Sequence, residues 1–347
     1  MQSPNIIMDL SHLNKCTITC FVLLLGFFIY INVTSSYLTN RGETRKYHFV
    51  GGAAKVAYSP KRNMEELAKS RNENLRKRCG SRFYNGTIKS GTWDSLPPLC
   101  KPKLYYSDKH KLIACTIPKS GSTSWRKALL ISDGVVNASS PEEIAQEDAF
   151  KLGMKKRYLW LHFKNNSTRT RAEINKRLNE YYRIIVVREP LERIVSAYLD
   201  KIVHGRKKYA RIALSMHNGT GSHATFEEFV DSIINKPSTT YDTHWDLYES
   251  ICDPCRLQYN YIVKLETMSQ DAKYVSKITG IDSHLLTSIK SDEKIPLLKH
   301  KWKTEYQEYL ESLPKDKLMK LFNIYSRDYE LFGYSIPQFV LSSKNKN

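Results

Sequence analysis

The sequence is poor in acidic residues, with 35 Asp and Glu against 54 Lys and Arg, and its formal net charge is +19 at pH 7. This imbalance indicates an anionic partner: nucleic acid, anionic lipid, or an acidic polysaccharide used with a nucleotide donor. The sequence also lacks internal repeats. Hydrophobic residues are plentiful, at 41% with 22 tyrosines, and they exclude the disordered and fibrous classes.

Cysteines are few as well, at seven, and two of them fall in or beside an uncharged N-terminal run. The other five are Cys79, Cys100, Cys115, Cys252 and Cys255. In an oxidising compartment this odd number permits at most two intrachain disulfides and one free thiol. We expect Cys115 to be the free one, because it lies in an apolar, strand-like run. Cys252 and Cys255 have CxxC spacing, but no second CxxC or His pair accompanies them, so we expect no zinc site.

The N-terminal part contains no charged residue from position 16 to position 40, and residues 16–33 are long enough to cross a bilayer roughly 30 Å thick as a helix. We predict a transmembrane signal anchor there, after a cytoplasmic tail at 1–15. A signal peptide cleaved near residue 35 is the alternative. Glycosylation sequons favour a lumenal location for the remainder, and they occur at Asn32, Asn85, Asn137, Asn165, Asn166 and Asn218.

Residues 34–102 are basic and polar and lack a periodic apolar pattern, which is typical of a lumenal stem. Residues 63–78 could form a short charged helix within it, but we prefer to interpret them as a solvated linker.

From residue 103 to residue 347 the pattern changes to alternating strands and helices, which predicts an α/β catalytic domain with a mostly parallel central sheet. The predicted strands are 111–117, 158–163, 183–187 and 261–264. The predicted helices are 123–130, 191–203, 225–234, 269–279 and 302–325. Thr225 and Glu228 form a capping box at the start of one of these helices.

The segment P-K-S-G-S-T-S-W, residues 118–125, lies between a predicted strand and a predicted helix. Small residues in such a loop let backbone N–H groups and the helix N-terminus surround a phosphate or sulfate, and Lys119 adds a mobile charge. The segment differs from the Walker A motif because the Lys precedes the Gly, and no Mg²⁺-binding carboxylate pattern follows. A nucleoside triphosphatase is therefore disfavoured, and a plain strand-to-helix turn is the alternative.

This segment resembles the 5′-phosphosulfate loop of sulfotransferases, whose donor is 3′-phosphoadenosine 5′-phosphosulfate. Residues 188–198, R-E-P-L-E-R-I-V-S-A-Y, follow a predicted strand and are similar to the 3′-phosphate-binding loop and helix of that superfamily. Residues 244–266 and 329–334 resemble the carbohydrate sulfotransferase family that contains the chondroitin and dermatan 4-O-sulfotransferases and the HNK-1 sulfotransferase. One departure is the S-G-S at 120–122, where that family commonly has Val-Ala/Gly-Cys.

The resemblance implies a P-loop-like three-layer α/β fold and a Golgi-lumenal type II membrane enzyme that needs no metal. The implied donor-binding residues are Pro118, Lys119, Ser120, Gly121, Ser122, Thr123, Ser124, Arg188, Glu189, Pro190, Leu191, Glu192, Arg193, Ile194, Val195 and Ser196. Lys119 would stabilise charge on the bridging oxygen of the donor, and Arg188 would bind its 3′-phosphate with help from Ser196. An Arg–Glu surface network around Arg188 is the alternative interpretation of the second element.

The acceptor hydroxyl needs a base, and His162 lies where the resembled family has His-x-Lys. His204, His244 and Glu266 are the alternatives. We expect the acceptor to be an acidic glycan, a glycosaminoglycan such as chondroitin or dermatan sulfated at GalNAc O-4, and not nucleic acid. A heparan uronic acid 2-O-sulfotransferase and a non-catalytic polyanion-binding membrane protein are the competing hypotheses.

Overall fold

The computed structural model describes residues 63–80, 94, 103–156, 158–159, 168–205, 207–217, 224–287 and 305–344. In chain order its elements are α1 (Met64–Cys79), β1 (Leu104–Ser107), β2 (Leu112–Thr116), α2 (Ser122–Ser132), α3 (Gln146–Lys156), α4 (Thr168–Glu180), β3 (Tyr182–Val187), α5 (Pro190–Ala197), a π-helical turn (Tyr198–Val203), α6 (Lys208–Met216), α7 (Phe226–Ile234), α8 (Tyr248–Cys252), α9 (Pro254–Leu257), β4 (Tyr261–Lys264), α10 (Met268–Thr279), α11 (Ser283–Thr287), α12 (305–311), α13 (Lys315–Phe332) and α14 (Gln338–Lys344). Single 3₁₀ turns occur at Pro141–Glu143, Ser238–Thr240 and Leu265–Thr267.

The strands form one sheet in the order β1-β2-β3-β4. β2, β3 and β4 run parallel, whereas β1 pairs antiparallel with β2 at the edge. Parallel strands covered on both faces have continuous apolar sequences, and every residue of β2 is buried. The predicted mostly parallel sheet is therefore confirmed, together with three of its strands. β1 was not predicted from the sequence.

Each face of the sheet carries its own hydrophobic core, as alternation along the strands requires. Ile113, Cys115 and Ile185 point into one core, which α1, α4 and α13 help to form. Ala114 and Val186 point into the other, which is closed by α2, α10 and α11. A third cluster packs α5, α6, α7, α12 and α13 together beyond the sheet. The arrangement is the three-layer α/β architecture that we predicted, with a helical extension.

Helix α1 shows that the linker interpretation of residues 63–78 is wrong. The Arg71 guanidinium lies 2.9 Å from Asp271 and donates a 2.7 Å hydrogen bond to the carbonyl of Ile262 in β4. Leu75 and Cys79 are buried in the core. Residues 64–79 lie within the range that we predicted as a stem, but they pack on the sheet. Their polar composition hid this role, because the buried contacts include an ion pair as well as apolar side chains.

Two disulfides cross the core on the α1 side of the sheet. Cys79 pairs with Cys255, and Cys115 in β2 pairs with Cys252 in α8. The expectation that Cys115 is the free thiol is therefore wrong. An apolar strand position did not exclude a bond to a cysteine 137 residues away, because only the fold brings α8 next to β2. Cys100 lies outside the described residues.

Two other predicted elements differ from the structure. Tyr158 makes only an isolated antiparallel bridge with Tyr105, and residues 160–163 of that predicted strand lie outside the described part of the chain. The predicted helix 302–325 is divided into α12 and α13, because Pro314 caps α13 and lacks the N–H that a continuous helix needs.

The predicted anchor, residues 16–33, also lies outside the described residues. Among the residues that are described, no helix is both long and apolar enough to cross a membrane.

Candidate active site

The loop after β2 has an unusual backbone that shapes the candidate site. Lys119 and Gly121 have φ angles of 71° and 81°, a region that glycine tolerates and other residues rarely adopt. The N–H of Ser120 donates to the carbonyl of Ile117 at 3.2 Å and closes the turn. A Cβ at position 121 would lie 3.4 Å from a methyl group of Leu265. Position 121 therefore favours glycine for its conformation and for its space.

The helix that follows this loop has an open N-terminus. No side chain caps α2, and its first turn contains no acidic residue. By contrast, the Glu189 side chain caps α5 and Thr225 caps α7 with the predicted capping box. Uncapped N–H groups and the positive end of the helix dipole together attract anions. The start of α2 can therefore bind a phosphate or sulfate group.

The loop opens on a cavity of about 450 Å³ at the carboxyl ends of the three parallel strands. This edge of an open α/β sheet is where such folds bind ligands. Eight of the predicted donor-binding residues line it: Pro118, Lys119, Gly121, Ser122, Thr123, Ser124, Arg188 and Ser196. The structure therefore brings the two sequence motifs together in one cavity.

The other predicted residues do not line this cavity. Ser120 is fully buried behind the loop. The apolar face of α5, Leu191, Ile194 and Val195, packs in the third hydrophobic cluster, as positions three and four apart on an amphipathic helix do. The remaining residues of the second motif that do not line the cavity are Glu189, Pro190, Glu192 and Arg193.

Arg193, one of the predicted donor-binding residues, makes structural contacts away from the cavity lining. Its side chain is fully buried and donates to the carbonyl oxygens of His244 and Asp246. The guanidinium carbon also lies 4.7 Å from the ring centroid of Tyr248. Arg193 therefore ties α5 to the segment that carries His244.

Lys119 reaches across the cavity to the π-helical turn. Its Nζ lies 3.0 Å from Asp200 Oδ2, and the Lys201 Nζ contacts the same oxygen at 3.1 Å. Burial lowers the pKa of Lys119, although Asp200 opposes the shift. The pKa of Asp200 is lowered by both lysines despite its partial burial. The wide π turn presents Asp200 and Lys201 to the cavity, and the sequence contains no signal for it.

Arg188 directly follows β3, and the side chain of Tyr248 fixes its backbone position. Its N–H donates to the Tyr248 hydroxyl at 3.0 Å, and that hydroxyl donates to the Arg188 carbonyl at 2.6 Å. Its guanidinium lies 3.3 Å from Glu192 and 3.4 Å from the Lys119 carbonyl. The Arg–Glu contact of the alternative interpretation is thus present, and Arg188 lines the cavity as well.

Two acidic side chains beside this motif stabilise the fold. Burial raises the pKa of Glu189 to about 8, and its side chain accepts from the Glu192 N–H and from the Tyr329 hydroxyl. Glu266, one of the alternative bases, accepts from the Glu189 N–H at 2.6 Å and from the Tyr334 hydroxyl at 3.0 Å. It does not line the cavity.

His244, one of the alternative bases, lines the cavity. Its Nδ1 lies 2.6 Å from Asp242 Oδ1 and 3.1 Å from the Tyr209 hydroxyl. His204 is exposed and lies outside the cavity, and His162 lies outside the described residues. Gln146 and Leu265 complete the lining. A His at 244 with an Asp two residues earlier was the only signal in the sequence for this pair.

Comparison with known proteins identifies the family of this site. A family model described as "Sulfotransferase family" matches residues 102–335, which include both motifs and His244. The chain belongs to the sulfotransferase family. Its relatives include carbohydrate sulfotransferase 10 of Xenopus laevis, 29% identical over 79% of this chain and 78% of that protein. Carbohydrate sulfotransferase 10 of Homo sapiens is 31% identical over 69% of each chain, and carbohydrate sulfotransferase 11 of Rattus norvegicus is 28% identical over 68% of each. No solved structure matches significantly.

This membership makes the chain a carbohydrate sulfotransferase, an enzyme that transfers a sulfuryl group to a glycan. Sulfotransferases of this family generally use 3′-phosphoadenosine 5′-phosphosulfate as donor. The residues of the cavity fit such a ligand, because the uncapped start of α2 and Arg188 supply donors and charge for two anionic groups.

The sulfotransferase shows no metal centre in the part of the chain that the structure describes. Within residues 63–80, 94, 103–156, 158–159, 168–205, 207–217, 224–287 and 305–344, no cluster of three or more His, Cys, Asp or Glu side chains could hold a metal ion. Both cysteines of the CxxC pair are bound in disulfides.

Proposed function

We propose that this carbohydrate sulfotransferase uses 3′-phosphoadenosine 5′-phosphosulfate to sulfate a glycosaminoglycan, at GalNAc O-4 of chondroitin or dermatan. The observation that carries the proposal is the single cavity that joins Lys119, the uncapped N-terminus of α2 and Arg188. The choice of acceptor rests on the resemblance of residues 244–266 and 329–334 to the family of 4-O-sulfotransferases.

The donor would span the cavity between its two anionic ends. The 5′-phosphosulfate would accept hydrogen bonds from the first N–H groups of α2 and from the hydroxyls of Ser122, Thr123 and Ser124. The 3′-phosphate would bind Arg188, whose planar guanidinium can donate two parallel bonds, and Ser196 in α5. Because both elements begin at the carboxyl ends of adjacent strands, the sheet sets the distance between the two phosphate sites.

Lys119 would stabilise the charge that develops during transfer. As the sulfuryl group moves in line to the acceptor hydroxyl, negative charge accumulates on the oxygen that bridged it to the 5′-phosphate. A cation aimed at that oxygen lowers the energy of the transition state more than that of the ground state. Asp200 holds the Lys119 ammonium at 3.0 Å and restricts its side-chain freedom before the reaction.

An acidic acceptor fits the charge near the cavity. Lys201 lines it, and Lys208 forms a 2.8 Å ion pair with Asp242 beside His244. These cations, together with the net charge of +19, favour a polyanionic chain over a neutral sugar.

We also propose a Golgi membrane location, with residues 16–33 as a type II anchor and the catalytic domain in the lumen. The two disulfides support an oxidising compartment, because such bonds rarely persist in the cytosol. The sequon at Asn137 is exposed, which fits glycosylation there. A protease-protection assay on membrane vesicles would test this topology, and digestion of the catalytic domain in intact vesicles would contradict it.

The decisive experiment is the transfer of labelled sulfate from the donor by the purified full-length protein, followed by disaccharide analysis of the product. We expect label on GalNAc O-4 with chondroitin or dermatan as acceptor. Label on a uronic acid 2-O of heparan would establish the alternative acceptor. No transfer to chondroitin, dermatan, heparan or glycoprotein would refute the proposed activity.

A thermal-shift measurement distinguishes the proposed sulfotransferase from the non-catalytic alternative. A working donor site predicts that 3′-phosphoadenosine 5′-phosphate raises the melting temperature with increasing concentration. A polyanion-binding protein with a vestigial loop would melt at the same temperature with and without this ligand.

A further inference from the structure

The cavity contains one histidine among the described residues, and its surroundings define its chemistry. We infer that His244 is the general base that accepts the proton of the acceptor hydroxyl, and that Asp242 and Tyr209 position its ring. This inference rests on the proposed sulfuryl transfer. It assigns to His244 the role that the family resemblance implied for His162.

The hydrogen bonds of His244 determine which ring nitrogen is available. Its Nδ1 lies 2.6 Å from Asp242 Oδ1, and Asp242 is a carboxylate, because His244 and Lys208 hold the pKa of Asp242 well below its usual range. A carboxylate only accepts hydrogen bonds, so Nδ1 carries the proton and donates it. The neutral ring then has its lone pair on Nε2, which has no hydrogen-bond partner among the residues that the structure describes.

Tyr209 and the backbone hold the pair in place. The Tyr209 hydroxyl lies 3.3 Å from both Asp242 oxygens. The Tyr209 ring packs edge-on against the imidazole of His244, with the two ring centroids 5.4 Å apart. The N–H of His244 also donates to Asp242 Oδ1 at 3.1 Å. The carboxylate therefore sets the tautomer and the ring orientation, as an orienting acid does in catalytic triads.

The charges around His244 keep its ring neutral near pH 7. Burial lowers its pKa, and Lys201 and Lys103 lower it further, whereas Asp242 opposes the shift. Lys208 pairs with Asp242 from α6, and Lys201 approaches from the π turn, with its Nζ 4.9 Å from the Tyr209 ring centroid. A neutral imidazole can accept a proton at once, and the nearby carboxylate then stabilises the imidazolium that forms.

His244 and Lys119 serve opposite ends of one reaction. The Nε2 of His244 takes the hydroxyl proton, the oxygen lone pair forms the new O–S bond, and the S–O bond to the 5′-phosphate breaks. Its electron pair stays on the bridging oxygen beside Lys119, so the products are a sulfate ester, 3′-phosphoadenosine 5′-phosphate and one proton held on His244. In-line transfer requires a base and a cation on opposite sides of the sulfur, and these two residues line the same cavity.

The test compares His244→Asn and His244→Ala with the wild-type full-length protein. Asn keeps a donor for Asp242 but has no basic nitrogen, so it separates the chemical role of His244 from its packing. We expect kcat to fall by about 10²–10⁴-fold in both variants, with the KM for the donor changed less than about threefold. His284→Ala is the control, because His284 is exposed on α11, and it should leave kcat unchanged.

The pH profile gives a readout that a structural role would not produce. In the wild type kcat should rise with pH through the lowered pKa of His244, because only the neutral ring accepts a proton. Asp242→Asn should move this rise to lower pH and reduce the plateau, because the imidazolium loses its anionic partner. Free imidazole should restore part of the activity of His244→Ala.

Several outcomes would overturn the inference while leaving the proposed function intact. One is a His244→Asn variant with wild-type kcat, and another is an acid limb that persists in that variant. A loss of activity in His162→Ala with normal activity in His244→Ala would return the role to His162. Failure of the wild type to transfer sulfate would instead refute the proposed function. Thermal stabilisation of each variant by 3′-phosphoadenosine 5′-phosphate would show that its fold and donor site are intact.

Discussion

Replacing Lys119 with alanine should slow turnover far more than it weakens donor binding. The variant leaves no uncompensated buried charge, because Asp200 keeps its 3.1 Å contact with Lys201. The N-terminus of α2 and Arg188 would still bind the phosphates of the donor. We therefore expect the affinity for 3′-phosphoadenosine 5′-phosphate to fall by less than about tenfold, which is under about 1.4 kcal/mol.

The effect on turnover follows from the charge on the bridging oxygen. One unit of charge about 4 Å from an ammonium, at an effective dielectric constant of about 20, is stabilised by about 4 kcal/mol. Transfer generates most of one unit there, so Lys119→Ala should lower kcat by about 10³-fold. The Lys119 side chain is only 18% exposed, which limits solvent screening of this interaction.

Lys201→Ala is a matched control for this prediction. It removes an equal charge that lines the same cavity and contacts the same Asp200 oxygen, but it belongs to the π turn and not to the loop after β2. Initial rates at saturating donor would give kcat, and calorimetry with 3′-phosphoadenosine 5′-phosphate would give Kd. Equal losses of kcat in the two variants, or equal losses of kcat and affinity in Lys119→Ala, would refute a specific role for Lys119.

Two further predictions concern stability. Replacing both Cys115 and Cys252 with alanine should lower the free energy of unfolding by about 4 kcal/mol on the loop-entropy model, because the Cys79–Cys255 bond already shortens the loop to about 40 residues. Urea unfolding would measure this, and a loss below about 1 kcal/mol would contradict it. Asp328 is fully buried, and burial raises its pKa to about 7, so the folded state binds a proton that the unfolded state releases above about pH 4. Its contribution to stability is therefore present at low pH and is lost as the pH rises towards 7, and Asp328→Asn should flatten this dependence by roughly 1–3 kcal/mol between pH 5 and pH 7. Parallel pH curves for the variant and the wild type would exclude this account.

The two segments that line the cavity were predictable from the sequence, because the pattern of each is local. A strand, a turn of small residues and a helix follow one another in residues 111–130. The unpaired N–H groups at the N-terminus of such a helix attract anions, and this property depends only on neighbouring residues. The second segment, which begins at Arg188 after β3, was also predictable, because it too is a strand followed by a loop and a helix. The capping box of α7 and the bounds of β4 also came from neighbouring residues.

The prediction was wrong where distant contacts decide. The polar composition of α1 predicted a linker, but the Arg71–Asp271 ion pair and a disulfide hold this helix on the sheet. The position of Cys115 in an apolar strand hid its bond to Cys252. Ile194 and Arg193 belong to the predicted donor-binding motif, but Ile194 packs in the third hydrophobic cluster and Arg193 donates to the His244 carbonyl, so neither lines the cavity. Their part in donor binding stays a prediction.

The sequence by itself therefore determined the family and the parallel strands, and it pointed to two candidate phosphate-binding segments, because each strand and each motif is a pattern of residues within about ten positions of one another. Only the tertiary structure decided that Asp200 and Lys201 lie beside Lys119, and that His244, held by Asp242, lines the same cavity. The first pair belongs to the π turn. The second pair belongs to a loop that lies more than 100 residues after the 5′ loop in the sequence. Their approach is set by the packing of the helical layer on the sheet, which no local pattern encodes.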